Sequence, residues 1–254
     1  MAADEFRRRP EAAWKDRLPQ DYQGGNRLLD ALPRSDAAAI ARDLDVVGLR
    51  LHELVEEPGS AYEYVDFPID AVYSVIAVLA NGDGCEVGTV GREGFVAAEA
   101  SLGQMRSRRT TVCQVPGRAA RMRRAIFDRA LRDIAELQRL TQRNVSARLY
   151  ASEQFTACNL MHPVAERCAR WLMMTCDRVG RDGFELTQDF LATMLGVRRA
   201  GVTQAAKSLK DTGAIEYHRG HVMVRDRAKL IAASCECYHA TRDAFEDALE
   251  VARV

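Results

Sequence analysis

The sequence has no apolar run long enough to cross a bilayer; the longest, residues 71–80, is about half the length a membrane helix needs. Three arginines stand at positions 7, 8 and 9, but no apolar segment of a secretory signal follows them. A cytoplasmic location and no membrane partner are therefore expected. The chain also lacks a charge surplus, since 36 Lys and Arg balance 36 Asp and Glu. That argues against a nonspecific polyanion coat, although it leaves room for a focused patch. Catalytic signatures are missing too. There is no G-x-S-x-G, no H-E-x-x-H and no phosphate-binding G-x-x-x-x-G-K, and the glycines of residues 91–94 are too few for a dinucleotide fingerprint. No enzyme is expected. No internal repeat and no low-complexity tract occur.

Cysteine is present but not in a disulfide pattern. Seven scattered residues (Cys85, Cys113, Cys158, Cys168, Cys176, Cys235 and Cys237) make an odd number. Most are expected to behave as small buried hydrophobes. Cys235-Glu236-Cys237 is suited to a metal or an oxidant, yet a single C-x-C is a weak signal, so no metal site is expected.

What is present is concentrated in residues 186–215, LTQDFLATMLGVRRAGVTQAAKSLKDTGAI. Thr187 is a good N-cap, and Asp189 places negative charge near a helix N-terminus. Leu191, Met194 and Leu195 form one apolar stripe, and Gly196 suits a left-handed helix end. A second helix is expected from about Arg198 to Lys210, with Val202, Ala205, Ala206 and Leu209 inward and Thr203, Gln204 and Lys207 outward. Arg198 and Arg199 stand at its start, where a recognition helix reaches base edges. Arginine can bond guanine O6 and N7 in a fork, and glutamine can do the same with adenine. Ile215-Glu216-Tyr217 and Val222-Met223-Val224 read as the strands of a hairpin, with His218 and Arg219 at a basic tip suited to phosphate.

A glycine-linked helix pair is common in all-α proteins; the hairpin directly after it tips the reading toward DNA. Residues 186–229 hold eight Lys and Arg against four Asp and Glu, a local surplus of four in a neutral chain.

Upstream, residues 1–25 read as a flexible or loosely docked arm, and residues 26–44 as helical, with Ser35 or Asp36 capping a second short helix. From about Val46 to Met122 the pattern changes to short strands, including residues 49–54 and 71–79, with a hairpin turn at Asn81-Gly82-Asp83-Gly84. Strands at this spacing imply an antiparallel sandwich or barrel. Residues 125–158 contain no Gly or Pro and read as one long helix, expected to pair with a copy of itself. Pro163 opens a further helix, which makes residues 159–162 a hinge candidate, and residues 226–254 add one or two helices.

This order resembles the Crp/Fnr superfamily of bacterial transcription regulators over about residues 26–230. The likeness is strongest at residues 184–224, and it is also good at Phe67-Pro68-Ile69, at residues 91–94 and at residues 164–172. It implies an α+β protein: an N-terminal cyclic-nucleotide-binding-type antiparallel β-barrel (jelly roll), a long dimerisation helix and a C-terminal winged helix-turn-helix. The expected divisions are an arm at 1–25, the sensor barrel at 26–122, the dimerisation helix at 123–158 and the DNA-binding domain at 159–254. By the family pattern Arg199 sits where a base-reading arginine stands, while Ala200 replaces a frequent Glu and Gln204 a second Arg.

Cyclic-nucleotide-binding members offer the ribose a glutamate from a Gly-Glu-x-Gly segment. Here Gly91-Arg92-Glu93-Gly94 puts Arg92 in that place. Arg92, Glu93, Arg108 and Arg109 are the effector candidates, but no cyclic nucleotide is expected. With no cysteine before Cys85, an Fnr-type iron–sulfur cluster is rejected, and His52, read as a strand-surface residue, does not support haem. The expected DNA-contacting set is Thr187, Arg198, Arg199, Thr203, Gln204, Lys207, His218 and Arg219, used by a homodimer. Double-stranded DNA, RNA polymerase and an unknown small-molecule effector are the expected partners. The competing reading is an effector- or redox-sensing module that acts by protein contact without DNA.

Overall fold

The computed structural model describes the backbone of residues 7–8, then residues 24–82 and 84–250. Most of the N-terminal arm therefore lies outside the described residues. Its strand β1 (Arg7–Arg8) runs parallel to β3 (Glu53–Glu56).

Two sheets form the N-terminal domain. β1 and β3 share a five-stranded sheet with β5 (Val72–Val78), β6 (Gly84–Val90) and β7 (Thr110–Val115), in the order β1-β3-β7-β5-β6. The other sheet has β8 (Gly117–Arg123) between β2 (Asp45–Leu49) and β4 (Tyr64–Pro68), all antiparallel.

Strand alternation sends neighbouring side chains to opposite faces, and three separate cores result. Val47, Leu49, Tyr73, Val75, Cys113 and Ala119 fill the space between the sheets. Val65, Phe67, Ala120 and Met122 face outward against a helical layer that contributes Leu28, Leu29, Phe127, Leu137 and Leu140. On the far side, Val72, Ile76, Val112 and Val115 pack against the C-terminal domain. β5 is thus covered on both faces as far as Ile76, which explains the apolar start of the 71–80 run, whereas Val78 and Leu79 at its end are exposed. A buried charge pair, Arg121 with Asp66, crosses from β8 to β4, and the Tyr73 hydroxyl donates to the same carboxylate at 2.9 Å.

Three local expectations change. Residues 49–54 are not one strand: the chain turns at residues 50–52, where His52 takes φ 61°. Helix α1 (Arg27–Asp30) is capped by Asn26, but α2 (Arg34–Ala41) starts directly after Pro33 rather than at Ser35 or Asp36. The long helix is split: α3 (Arg124–Asp133) and α4 (Ala135–Met161) are separated by Ile134, which is extended at φ −120°, ψ 95°. α3 stays on the β4–β8 sheet, and the single extended residue lets α4 leave along a different line. Among the described residues no helix is long and apolar enough to cross a membrane.

α5 (Val164–Val179) follows Pro163 and is the buried centre of the C-terminal domain. β9 (Gly183–Glu185), α6 (Gln188–Leu195), α7 (Arg199–Asp211), β10 (Ile215–His218) and β11 (His221–Val224) come next, with the sheet ordered β10-β11-β9. Two helices close the chain, α8 (Arg227–Ala232) and α9 (Cys237–Leu249). α9 folds back along α4, packing Phe245 and Ala248 on Ala147 and Ala151. Arg143 of α4 donates to the Asp247 and Glu250 carbonyls at its end.

Candidate nucleic-acid interface and its seam with the barrel

The interface begins with two helix ends. The Thr187 hydroxyl accepts from the Phe190 N–H at 3.2 Å, satisfying one open donor of α6. α6 buries Phe190, Leu191, Met194 and Leu195 and stops at Gly196, whose φ of 62° is left-handed. Arg198 is the extended N-cap of α7, which buries Val202, Ala205, Ala206 and Leu209. The small alanines let α7 seat closely against α5.

All eight residues expected to contact DNA are exposed: Thr187, Arg198, Arg199, Thr203, Gln204, Lys207, His218 and Arg219. Two links across the turn hold some of them in place. The Thr203 hydroxyl donates to Gln188 Oε1 at 2.9 Å, and Arg199 pairs with Asp189 at 3.4 Å. Gln188 was not singled out by sequence; its position on the first turn of α6, facing α7, appears only in three dimensions.

The wing joins the same surface. His218 pairs with His221, and between them Arg219 (φ 46°) and Gly220 (φ 79°) both have positive φ, as a type I′ turn requires. The Leu186 N–H donates to the Gly220 carbonyl at 2.7 Å, and the Tyr217 hydroxyl donates to the Leu186 carbonyl at 2.7 Å. Arg219 at the tip is thereby brought beside Thr187 at the start of α6. Strand β9, which completes the wing sheet, was not anticipated.

The basic surplus also divides. Arg225 pairs with Glu216, Arg227 with Asp177 and Asp182, and Lys229 with Asp226. Arg198, Lys207, Lys210 and Arg219 have no ion-pair partner among the described residues. These four cations lie on α7, at its N-cap and at the wing tip.

Behind this surface the domain docks on the barrel. Met194 of α6 lies under Ser74, whose hydroxyl is 3.0 Å from its sulfur. His52 stacks on Phe190 with centroids 5.0 Å apart, so it is a seam residue rather than a strand-surface one. Trp171 Nε1 donates to Glu86 at 2.9 Å, and Ser74 donates to the same carboxylate. Burial outweighs both donors and pushes the Glu86 carboxyl up to about 7. Arg178 Nε donates to Glu93 Oε1 at 2.7 Å in a buried pair. A Cβ on Gly91 would stand 2.4 Å from Arg178 Cγ, so the bare backbone there makes room for this arginine. Asn144 of α4 donates to the Glu93 carbonyl at 2.8 Å. The 91–94 loop therefore meets α4 and α5 at once.

The four effector candidates do not converge. Arg108 and Arg109 line a cavity of about 440 Å³ bounded by β5, β6, α4 and α9. Arg92 and Glu93 line another of about 590 Å³, beside Arg27, Arg227 and Arg242. Glu93 is engaged by Arg178, and Arg109 pairs with Glu99. Sequence reasoning missed Arg148 and Arg178, which also line the first cavity. Half-buried Arg148 donates to the Phe95 carbonyl at 3.0 Å, and its pKa falls to about 10 through desolvation, then the Arg109 charge. On an isolated helix pattern these two arginines look like any solvated cation.

One further cluster stands at the α4–α5 junction. Cys158, His162, Cys235 and Cys237 place one donor atom each within 4.8 Å of one another. The C-x-C pair was visible in sequence, but its partners lie more than seventy residues upstream. The hydrogen bond between Cys158 and Cys235 holds the Cys158 thiol well below its ordinary pKa, and the same contact pushes Cys235 up.

Residues 166–233 match the model of the Crp-like helix-turn-helix domain. None of the curated proteins compared matches the chain. Among solved structures, a CRP-family transcriptional regulator from Thermus thermophilus superposes with TM-score 0.61 at 18% identity, covering 76% of this chain and 99% of its own. The c-di-GMP responsive global regulator CLP from Xanthomonas campestris gives 0.60 at 14% identity over 76% and 99%. A crp/fnr-family regulator from Eubacterium rectale gives 0.58 at 14% over 81% and 96%. At these identities the superpositions establish the fold.

Proposed function

This chain has the Crp/Fnr fold with a Crp-like helix-turn-helix domain at residues 166–233, and on that premise we propose that it is a sequence-specific DNA-binding transcription regulator acting as a homodimer. The observation that carries the reading is the exposed flank of Arg198, Arg199, Thr203, Gln204 and Lys207, flanked by Arg219 on a wing tied to α6. Arg199 and Gln204 supply base-reading groups; Arg198, Lys207 and Arg219 supply phosphate contacts. The role is regulatory rather than catalytic, exercised in the cytoplasm at promoters where RNA polymerase works.

Dimerisation is supported by apolar residues left open on α4. Leu149 is 63% exposed, Tyr150 42%, Leu160 80% and Met161 78%. Exposed apolar surface of this kind marks an association site. Two copies would set their recognition helices about one turn of duplex apart, roughly 34 Å.

For the effector, the cavity beside α4 favours an anion: Arg108, Arg109, Arg148 and Arg178 line it against Glu99 alone among the acids. A cyclic nucleotide is disfavoured, because Arg92 occupies the family's ribose-binding position and Glu93 is held by Arg178. No cofactor is part of this reading.

Selection of bound duplexes from a random pool tests the proposal. The expected product is a near-palindrome whose half-sites repeat at about ten base pairs, and Arg199→Ala should relax one position of each half. Retention of no duplex, or of all duplexes equally, would replace it with a sensor that acts by protein contact.

A further inference from the structure

We propose that Cys158, His162, Cys235 and Cys237 form a closed site for a single zinc-class divalent ion that fastens the start of α9 to the α4–α5 junction.

The donors come from two short motifs far apart in the chain. Cys158 lies in the last turn of α4 and His162 is its extended C-cap, whose N–H donates to the Cys158 carbonyl at 3.1 Å, so both stand at the same helix end. Cys235 and Cys237 immediately precede and begin α9. Cys158 Sγ is 3.5 Å from Cys235 Sγ, and Cys237 Sγ is 3.6 Å from His162 Nδ1. A tetrahedral ion with metal–sulfur bonds of about 2.3 Å and metal–nitrogen bonds of about 2.0 Å separates its ligand atoms by about 3.5–3.8 Å.

The surroundings suit such an ion. The three cysteines are buried and form a cluster of their own, apart from the apolar cores. Gln154 Nε2 donates to Cys237 Sγ at 3.2 Å. His162 turns Nδ1 toward the thiols while Nε2 faces Glu236 Oε2 at 3.3 Å. A ligand histidine oriented by a carboxylate on its other nitrogen is the usual outer-shell arrangement.

Three thiolates around a divalent ion leave one net negative charge. Buried Arg167 and Arg170, on the facing side of α5, each keep an Nε without a hydrogen-bond partner among the described residues. Arg170 acts electrostatically on Cys158.

The donor set selects the ion. Sulfur and imidazole suit zinc rather than magnesium or calcium, and four protein ligands leave no open position, as in structural sites. A four-iron cluster would spread its ligands over separate irons; donors this close converge on one point. A disulfide would use only two of the four groups.

The test uses the full chain, stripped of metal and kept reduced with a phosphine. Cobalt(II) titration should saturate at one ion per chain, with tetrahedral visible bands and thiolate-to-cobalt charge transfer, and zinc should displace it. Elemental analysis of zinc-loaded protein should give one equivalent. The double variant Cys235→Ser/Cys237→Ser should lose both signals, and Cys85→Ser should keep them. Glu236→Gln, which leaves every ligand in place, should weaken zinc binding about ten- to a hundredfold.

Sub-stoichiometric uptake by the reduced wild-type chain, an octahedral cobalt spectrum, or wild-type binding by the double variant would each overturn the site. A chain that takes no cobalt but forms a Cys158–Cys235 disulfide on oxidation would also overturn it and assign the cluster to thiol chemistry. None of these readouts involves DNA, so the site and the regulator reading fail separately.

Discussion

The arginines at the start of α7 and those at the barrel seam are one residue type under opposite conditions. Arg199 is 65% exposed and meets an Asp189 that is 69% exposed, so water screens the pair and its side chain remains free to take another partner. Arg178 and Glu93 are 6% and 8% exposed, and their bond joins α5 to the 91–94 loop. The first kind of contact is cheap to exchange for a base edge; the second is costly to break. The difference teaches where this protein can bind and where it must hold.

The largest effect should come from breaking the seam. Glu93→Ala leaves Arg178 buried without its carboxylate, a change that costs about 3–5 kcal/mol. Urea unfolding of the full chain reads it. A change within the error of the extrapolation would mean that the pair is solvated and the contrast unfounded.

Next is the Glu86 carboxyl. Its folded pKa of about 7 exceeds the ordinary 4.5, so its contribution is fully present below pH 4.5. It is lost progressively as pH rises to about 7 and stays lost above that. Glu86→Gln, neutral at every pH, should remove about 2 kcal/mol of this dependence. Melting temperatures at pH 5 and pH 8 give the measure. Parallel pH profiles for wild type and variant would sink the assignment.

On the exposed side, Arg199→Ala should cost about 1–3 kcal/mol at one base pair. Folding stability should stay within about 0.5 kcal/mol of wild type. Competition binding with duplexes changed at single positions, beside a melting curve, separates the two. The smallest effect is expected of Asp189→Asn, which frees Arg199 and should raise duplex affinity by no more than about threefold. A tenfold change in either direction would show that Asp189 does more than screen its neighbour.

The parts legible in sequence were those fixed by neighbours in the chain. Thr187 caps α6 and Gly196 ends it because a hydroxyl and a missing Cβ act within one turn. The β10–β11 hairpin was legible because its turn chemistry lies between its own strands. The 91–94 loop was found as a motif, but its occupant was not: Arg178 arrives from 84 residues beyond Gly94 and leaves no local trace. The break at Ile134 has no glycine or proline to announce it, since packing of α3 on its sheet decides it. Cys235 and Cys237 looked weak because half the cluster stands at the far end of α4.

The return of α9 along α4 has a mechanical consequence. The C-terminal domain joins the rest of the chain through the peptide at residues 161–164 and again through a helix lying on Ala147 and Ala151. The Arg178–Glu93 seam is a third attachment, so the domain cannot turn as a rigid body while all three hold. A shift of α4 therefore reaches the helix-turn-helix surface only by straining that seam, which makes the seam the place where such a movement is resisted.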